Sequence, residues 1–235
     1  MKSFNFIIAS VCATLCAVSC GIRLWLIYGL LALPCYAAVI LSLPFSSAMH
    51  ELGHMLFGFA VKIKAVPHFS VLGSSSCKII PGTQYGLRGR LIFTTLGGLF
   101  VNTAIIAVGT VALFGVIPVW LCVFMPSSVY LLLLNGISAE LPSGKTDGMV
   151  LSSLITDSDE ARVMLAVLAI QAQILNGTPI DELDENLLFA VPVIREDDPA
   201  FISLTQLRYE YFNARGDEKR ALEYKTRLEE LKEYI

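Results

Sequence analysis

The chain has 235 residues, 55% hydrophobic and only 16% charged, against roughly 25% charged in soluble globular domains. Its net charge of −3 is unevenly split: residues 1–137 carry seven basic side chains and one acidic, residues 138–235 ten basic and nineteen acidic. A free-standing soluble or disordered reading is excluded for the first part, and the acidic second part argues against a nucleic-acid partner.

A charge at the bilayer centre costs roughly 2.5–3.5 kcal/mol on insertion scales, so a long stretch almost free of acids reads as membrane-embedded. Residues 4–31 form the first expected span, with Lys2 inside and Arg23 snorkelling outward. Cys12, Cys16 and Cys20 recur every fourth residue and make one small, soft helix face, suited to close packing. The stretch ending Ala17-Val18-Ser19-Cys20 also has the outline of a secretory leader, but Ala17 stands where leucine is usual. A second span covers 35–61. The loop 62–90 carries Lys62, Lys64, Lys78, Arg88 and Arg90 and no acid, which places it in the cytoplasm by the positive-inside rule. Further spans cover 91–117 and, after a turn at Pro118, 119–138. Trp25 and Trp120 suit the interfaces. Four spans fit best, and five with the N-terminus outside also satisfy the pattern.

The one carboxylate before Glu140 is Glu51, within His50-Glu51-Leu52-Gly53-His54. On a helix, residues four apart are separated by about 400° of rotation, so both imidazoles leave one face and can grip one ion. Glu51 lies about 100° round from His50, beside the ion rather than on it. This is the arrangement of a zinc site with a carboxylate base. A chance match would leave three ionisable groups in five residues of an apolar helix, which is expensive without a shared purpose.

Zinc needs a third protein ligand, and the first aspartate in the chain is Asp147, in Pro142-Ser143-Gly144-Lys145-Thr146-Asp147-Gly148. If the second helix ends near Val61, His50 and His54 lie roughly 10–16 Å up it. Asp147 must then dip into a protein-lined cavity on non-helical backbone.

In the tail, Asp157-Ser158-Asp159-Glu160 predicts a helix start, with the helix running to about Leu175 before Asn176-Gly177. Residues 201–212 and 221–235 carry apolar side chains at three and four spacing around Arg215-Gly216-Asp217, which predicts a helical hairpin. The hairpin at 200–235 resembles a single tetratricopeptide helix pair. Its readings are a cap that stabilises the core or a docking module for a cytoplasmic partner.

Taken together, these motifs resemble the site-2 protease family of intramembrane zinc metalloproteases. The His50 to His54 stretch matches the family's zinc helix, and Asp147-Gly148, with Pro142 five residues before the Asp, is similar to its second signature. Gly98-Leu99-Phe100-Val101-Asn102 resembles the family's Gly-Pro-x-x-Asn helix, with Leu99 in place of proline. Residues 61–73, including Phe69-Ser70-Val71-Leu72-Gly73, resemble a short strand loop that dips into the membrane. The likeness covers roughly residues 35–150. It departs at Ala139, where the family usually has asparagine; Asn135 lies one helical turn earlier.

The resemblance implies an all-α polytopic membrane protein of about four transmembrane helices, with a strand-like membrane-dipping loop and a soluble helical C-terminal domain. Composition breaks near residue 138; with the second signature included, residues 1–150 form the membrane-embedded protease core and 151–235 the cytoplasmic domain. The expected activity is hydrolysis of peptide bonds in or near transmembrane segments, in regulated proteolysis or peptide trimming. The expected partners are a transmembrane protein or peptide substrate and the lipid bilayer of the cell membrane. One Zn2+ is held by His50, His54 and Asp147, Glu51 is the base, and Asn102 and Asn135 are auxiliary amides. The loop 66–80 could hold an unwound substrate by strand addition, or be a basic loop at the lipid surface with His68 as a surface residue. The competing class is a catalytically silent membrane protein with a structural zinc site that binds partners through its tail.

Overall fold

In the computed structural model, which describes residues 2–69, 76–141 and 144–231, helix α1 spans Lys2–Tyr28. A short 3-10 turn, Gly29–Ala32, leads into α2, Leu33–Ala60, with Pro34 at its start. Strands β1 (Ile63–His68) and β2 (Ser76–Pro81) pair as a two-stranded sheet, which gives the expected strand loop its form. Residues 70–73 of the quoted loop motif lie outside the described residues, as do Pro142 and Ser143.

Helix α3 runs Leu87–Leu113, starting and ending four residues earlier than the 91–117 expected. Its end has a local cause: Gly115 takes a φ of 79°, a conformation only glycine adopts cheaply. After Pro118, residues Val119–Phe124 form a 3-10 segment, and the α-helix proper, α4, covers Met125–Gly136 with Pro126 in its first turn. A minimal hairpin follows, β3 (Glu140–Leu141) against β4 (Gly144–Lys145), with Glu140 opposite Lys145 and Leu141 opposite Gly144. Helix α5 is Asp147–Thr156.

Among the described residues three stretches, Phe4–Val39, Leu87–Leu113 and Val119–Gly136, are long and apolar enough to cross a membrane. Phe4, Ile7, Val11, Leu15, Val18 and Ile22 stand exposed along α1. These residues follow helical spacing, so the apolar stripe faces outward, as lipid requires and water does not.

The chain divides into two compact units. The first comprises residues 1–61, 65–78 and 93–152. Its main cluster mixes small side chains with two larger ones: Cys20, Leu24, Ala32, Ala112, Val119, Cys122, Val123 and Met125. Cys16 and Cys35 pack against it, so Cys16 and Cys20 of the expected cysteine face serve packing. Between α2 and α4, Ser127 hydrogen-bonds Ser42 (2.9 Å) and Ser46 (2.8 Å), and Ser128 donates to Ser46.

The second unit comprises residues 62–64, 79–92 and 153–235. Helix α6 (Asp159–Leu175) starts on Ser158, whose hydroxyl accepts from the Ala161 N–H, and stops at Asn176. A short α7 (Glu185–Phe189) follows. Then α8 (Pro199–Ala214) and α9 (Glu218–Leu231) form the expected hairpin, turning at Gly216 with φ of 73°. Val163, Val167 and Ile170 of α6 meet Leu188, Leu204, Leu207, Tyr211 and Phe212 in one core. Arg88 binds the carbonyls of Leu154 (2.6 Å) and Ile155 (2.9 Å) and pairs with Asp157, satisfying the open carbonyls at the end of α5.

Candidate metal centre

His50, Glu51 and His54 are all buried on α2. The shared face of the two histidines follows from helical periodicity, but the room for two imidazoles comes from α3. A Cβ at Gly98 would stand 2.6 Å from both His50 Cε1 and His54 Nε2, so a side chain there would occupy the space of the rings. The helices approach backbone to backbone at the adjoining residues, where a Cβ on Gly53 would stand 2.4 Å from the Gly97 carbonyl oxygen and the reverse holds for Gly97. The glycine inside the His50–His54 motif is therefore a packing residue. Its functional weight is to let α3 reach the site.

The two Nε2 atoms lie 3.2 Å apart. Asp147 Oδ2 lies 3.0 Å from His50 Nε2 and 3.3 Å from His54 Nε2. Glu51 is buried beside them, within electrostatic reach of all three. Asp147 comes to this point as the first residue of α5, not on irregular backbone as expected. The β3–β4 hairpin supplies the reversal, and Thr146 locks it. The Thr146 hydroxyl faces the carbonyls of Ile137 (2.6 Å) and Ala139 (2.9 Å) and accepts from the N–H groups of Ala139 (3.1 Å) and Met149 (3.3 Å). The Thr146 carbonyl accepts the first α5 hydrogen bonds, from Met149 and Val150, so Thr146 is the N-cap of α5. Gly148 completes the arrangement, because a Cβ there would stand 2.3 Å from the Gly136 oxygen at the end of α4.

The departure at Ala139 has a structural counterpart. Both backbone groups of Ala139 bind Thr146, so this position ties the hairpin and presents no side-chain amide. Asn135, in the last turn of α4, instead brings its Nδ2 to 3.5 Å from His50 Nε2. That is too long for a strong hydrogen bond but puts an amide at the edge of the ligand cluster. Asn102, fully buried on α3, has its amide 3.0 Å from His50 Nδ1. His54 Nδ1 lies 2.9 Å from the Thr94 carbonyl oxygen, which fixes that nitrogen as the donor and leaves Nε2 with a lone pair.

One ligand atom each from His50, His54 and Asp147 falls within 4.8 Å of the others, and this group could hold a metal ion. The donor chemistry fits a cation. With His54 donating outward through Nδ1, its Nε2 brings no proton to the cluster, and among the described residues Asp147 Oδ2 meets the two imidazole nitrogens and no other hydrogen-bond donor. Two imidazole nitrogens and a carboxylate oxygen are a common zinc ligand set.

Cys77 on β2 lies within electrostatic reach of Glu51 and Asp147. Burial, and then those two carboxylates, push its thiol up to about 12. His68 is exposed on β1. Thr94, Thr146 and the close-approach glycines Gly53 and Gly97 were given no role from sequence, and Gly148 was read only as part of the second signature. The available signal was the four-residue spacing of Thr94, Gly98 and Asn102, which mirrors that of His54 and His50 on the facing helix. No family model, curated protein or solved structure matches the chain.

Proposed function

We propose that the protein is an intramembrane zinc metalloprotease of the site-2 type, hydrolysing peptide bonds in or near the transmembrane segments of other membrane proteins. The observation that carries this reading is the convergence of His50, His54 and Asp147 within 4.8 Å, with Glu51 buried beside them in an apolar helix. A structural zinc site has no use for a second carboxylate, buried and held off the ligand set, and a hydrolase does.

His50, His54 and Asp147 hold the metal, which when bound supplies a Lewis acid for the scissile carbonyl and a nucleophile at neutral pH. Glu51 takes one proton from the attacking water onto its carboxylate and delivers it to the nitrogen of the leaving amine. His50, Glu51 and His54 are buried and Asp147 is half-buried, which limits the access of bulk water. The substrate must arrive unwound, since a helical carbonyl is already hydrogen-bonded. The β1–β2 hairpin offers strand edges for it, and the reach of Cys77 to Glu51 and Asp147 supports a hairpin beside the site.

In this reading the chain crosses the cell membrane four times, with the loop 62–90 and residues 151–235 in the cytoplasm. The α8–α9 hairpin there caps the core or docks a cytoplasmic partner. The deciding test is Glu51→Gln in the purified full chain. It should keep about one zinc and lose cleavage by about 10²–10⁴-fold; full cleavage by this variant would sink the mechanism. Comparing membrane proteomes of cells carrying the active protein and Glu51→Gln should reveal the substrates that accumulate uncut.

A further inference from the structure

Helix α3 faces the metal helix in register. Thr94, Gly98 and Asn102 follow at four-residue spacing and so share one face. Along that face the Thr94 carbonyl meets His54, Gly98 leaves the gap for both rings, and Asn102 meets His50. Two residues of α3 therefore address the outward nitrogens of the two ligand histidines, one each. For His54 the partner is a backbone oxygen, which accepts only, so Nδ1 must carry the proton.

For His50 the partner is an amide, and an amide can present either its oxygen or its NH2 group in the same outline. In the structure Nδ2 faces Nδ1 at 3.0 Å, while Asn102 Oδ1 is buried with no hydrogen-bond partner among the described residues. If the NH2 donated to Nδ1, the neutral ring would carry its proton on Nε2. That is the atom 3.0 Å from Asp147 and 3.2 Å from the other histidine's Nε2, and a protonated nitrogen cannot ligate a metal. We infer that Asn102 works in the opposite sense: its side-chain oxygen accepts from His50 Nδ1–H and holds the ring in the tautomer whose Nε2 binds the metal. The turned amide gives Oδ1 a donor, removes a facing pair of N–H groups and places NH2 where the oxygen had stood. Asn102 is thus a positioning residue for the ligand, acting on zinc affinity before it acts on turnover.

The inference rests on the reading of His50, His54 and Asp147 as metal ligands. Its test is zinc affinity, measured by competition with a chelator on the purified full chain, for Asn102→Leu and Asn102→Asp. Leucine keeps the volume and removes the acceptor; aspartate keeps acceptors and removes the donor. The acceptor role predicts about 10–100-fold weaker zinc for Asn102→Leu and retained affinity for Asn102→Asp. Melting of the metal-free variants reports any loss of fold separately. If Asn102→Leu does not fold, Asn102→Asp decides alone, because the acceptor role predicts that the folded variant retains zinc. Wild-type affinity in a folded Asn102→Leu, or loss of zinc from a folded Asn102→Asp, overturns the tautomer assignment while leaving the metal site standing. A wild-type chain that holds no zinc overturns both.

Discussion

The surroundings of His50 and of Ile170 are packed by opposite means. Along α2, the helix that carries His50, contacts to α3 and α4 are made by glycines at 53, 97 and 98 and by hydroxyls at 42, 46, 127 and 128, and at the glycines backbones approach until no Cβ fits. Around Ile170 the neighbours are Leu188, Leu204, Leu207, Tyr211 and Phe212, large side chains closing one core. The difference follows from the solvent each region is composed for. Between helices in lipid, burying a leucine gains little because the tails are as apolar as leucine, so association relies on close contact and interhelical hydrogen bonds. In water, each large buried apolar side chain contributes about 1.5–3 kcal/mol. Removing atoms should harm the second region, and adding atoms the first.

Four substitutions probe that contrast. Ile170→Ala empties part of the second unit's core and should cost about 2–5 kcal/mol, seen as a lower denaturation midpoint for that unit with zinc content unchanged. Loss of zinc here would show that the contrast is drawn in the wrong place. Gly98→Ala adds one methyl between the imidazoles, and an overpacking cost of about 1–3 kcal/mol corresponds to roughly 5–150-fold weaker zinc. Equal zinc affinity in this variant would mean that α3 yields freely. Thr146→Val keeps the shape but removes the hydroxyl that caps α5, a loss of about 0.5–2 kcal/mol. Because Asp147 is the next residue, chelator competition should register it as weaker zinc. Ser127→Ala opens the α2–α4 hydroxyl cluster at a cost of about 0.6 kcal/mol, measurable as a small shift in thermal unfolding in detergent. A shift of several kcal/mol would instead assign the serines a role beyond helix contact.

Much of the helical framework was legible because its signals are local. Ser158 and the acids after it marked the start of α6, Asn176-Gly177 its end, and Arg215-Gly216-Asp217 the turn between α8 and α9. The pairing of His50 with His54 was legible for the same reason, since one helical turn separates them. The third span was displaced by four residues because apolarity does not mark where a helix stops; Gly115 does, through its backbone conformation. The β3–β4 hairpin was missed because its paired strands are two residues each, too short for any alternation to show. Asp147 was then expected on irregular backbone, whereas a threonine cap made it the first residue of a helix.

Sequence by itself determined the acid-poor, apolar first part, the tail's helices, and two histidines on one helical face with a carboxylate beside them. Those properties depend on composition and on periodicity within one element. Tertiary structure decided where Asp147 arrives, which glycines are indispensable, that Thr94 and Asn102 are the partners of the ligand rings, and that Asn135 rather than Ala139 brings an amide near the cluster. Each of these depends on the approach of two helices or the reversal of a hairpin, and a contact across tens of residues leaves no local period in the chain.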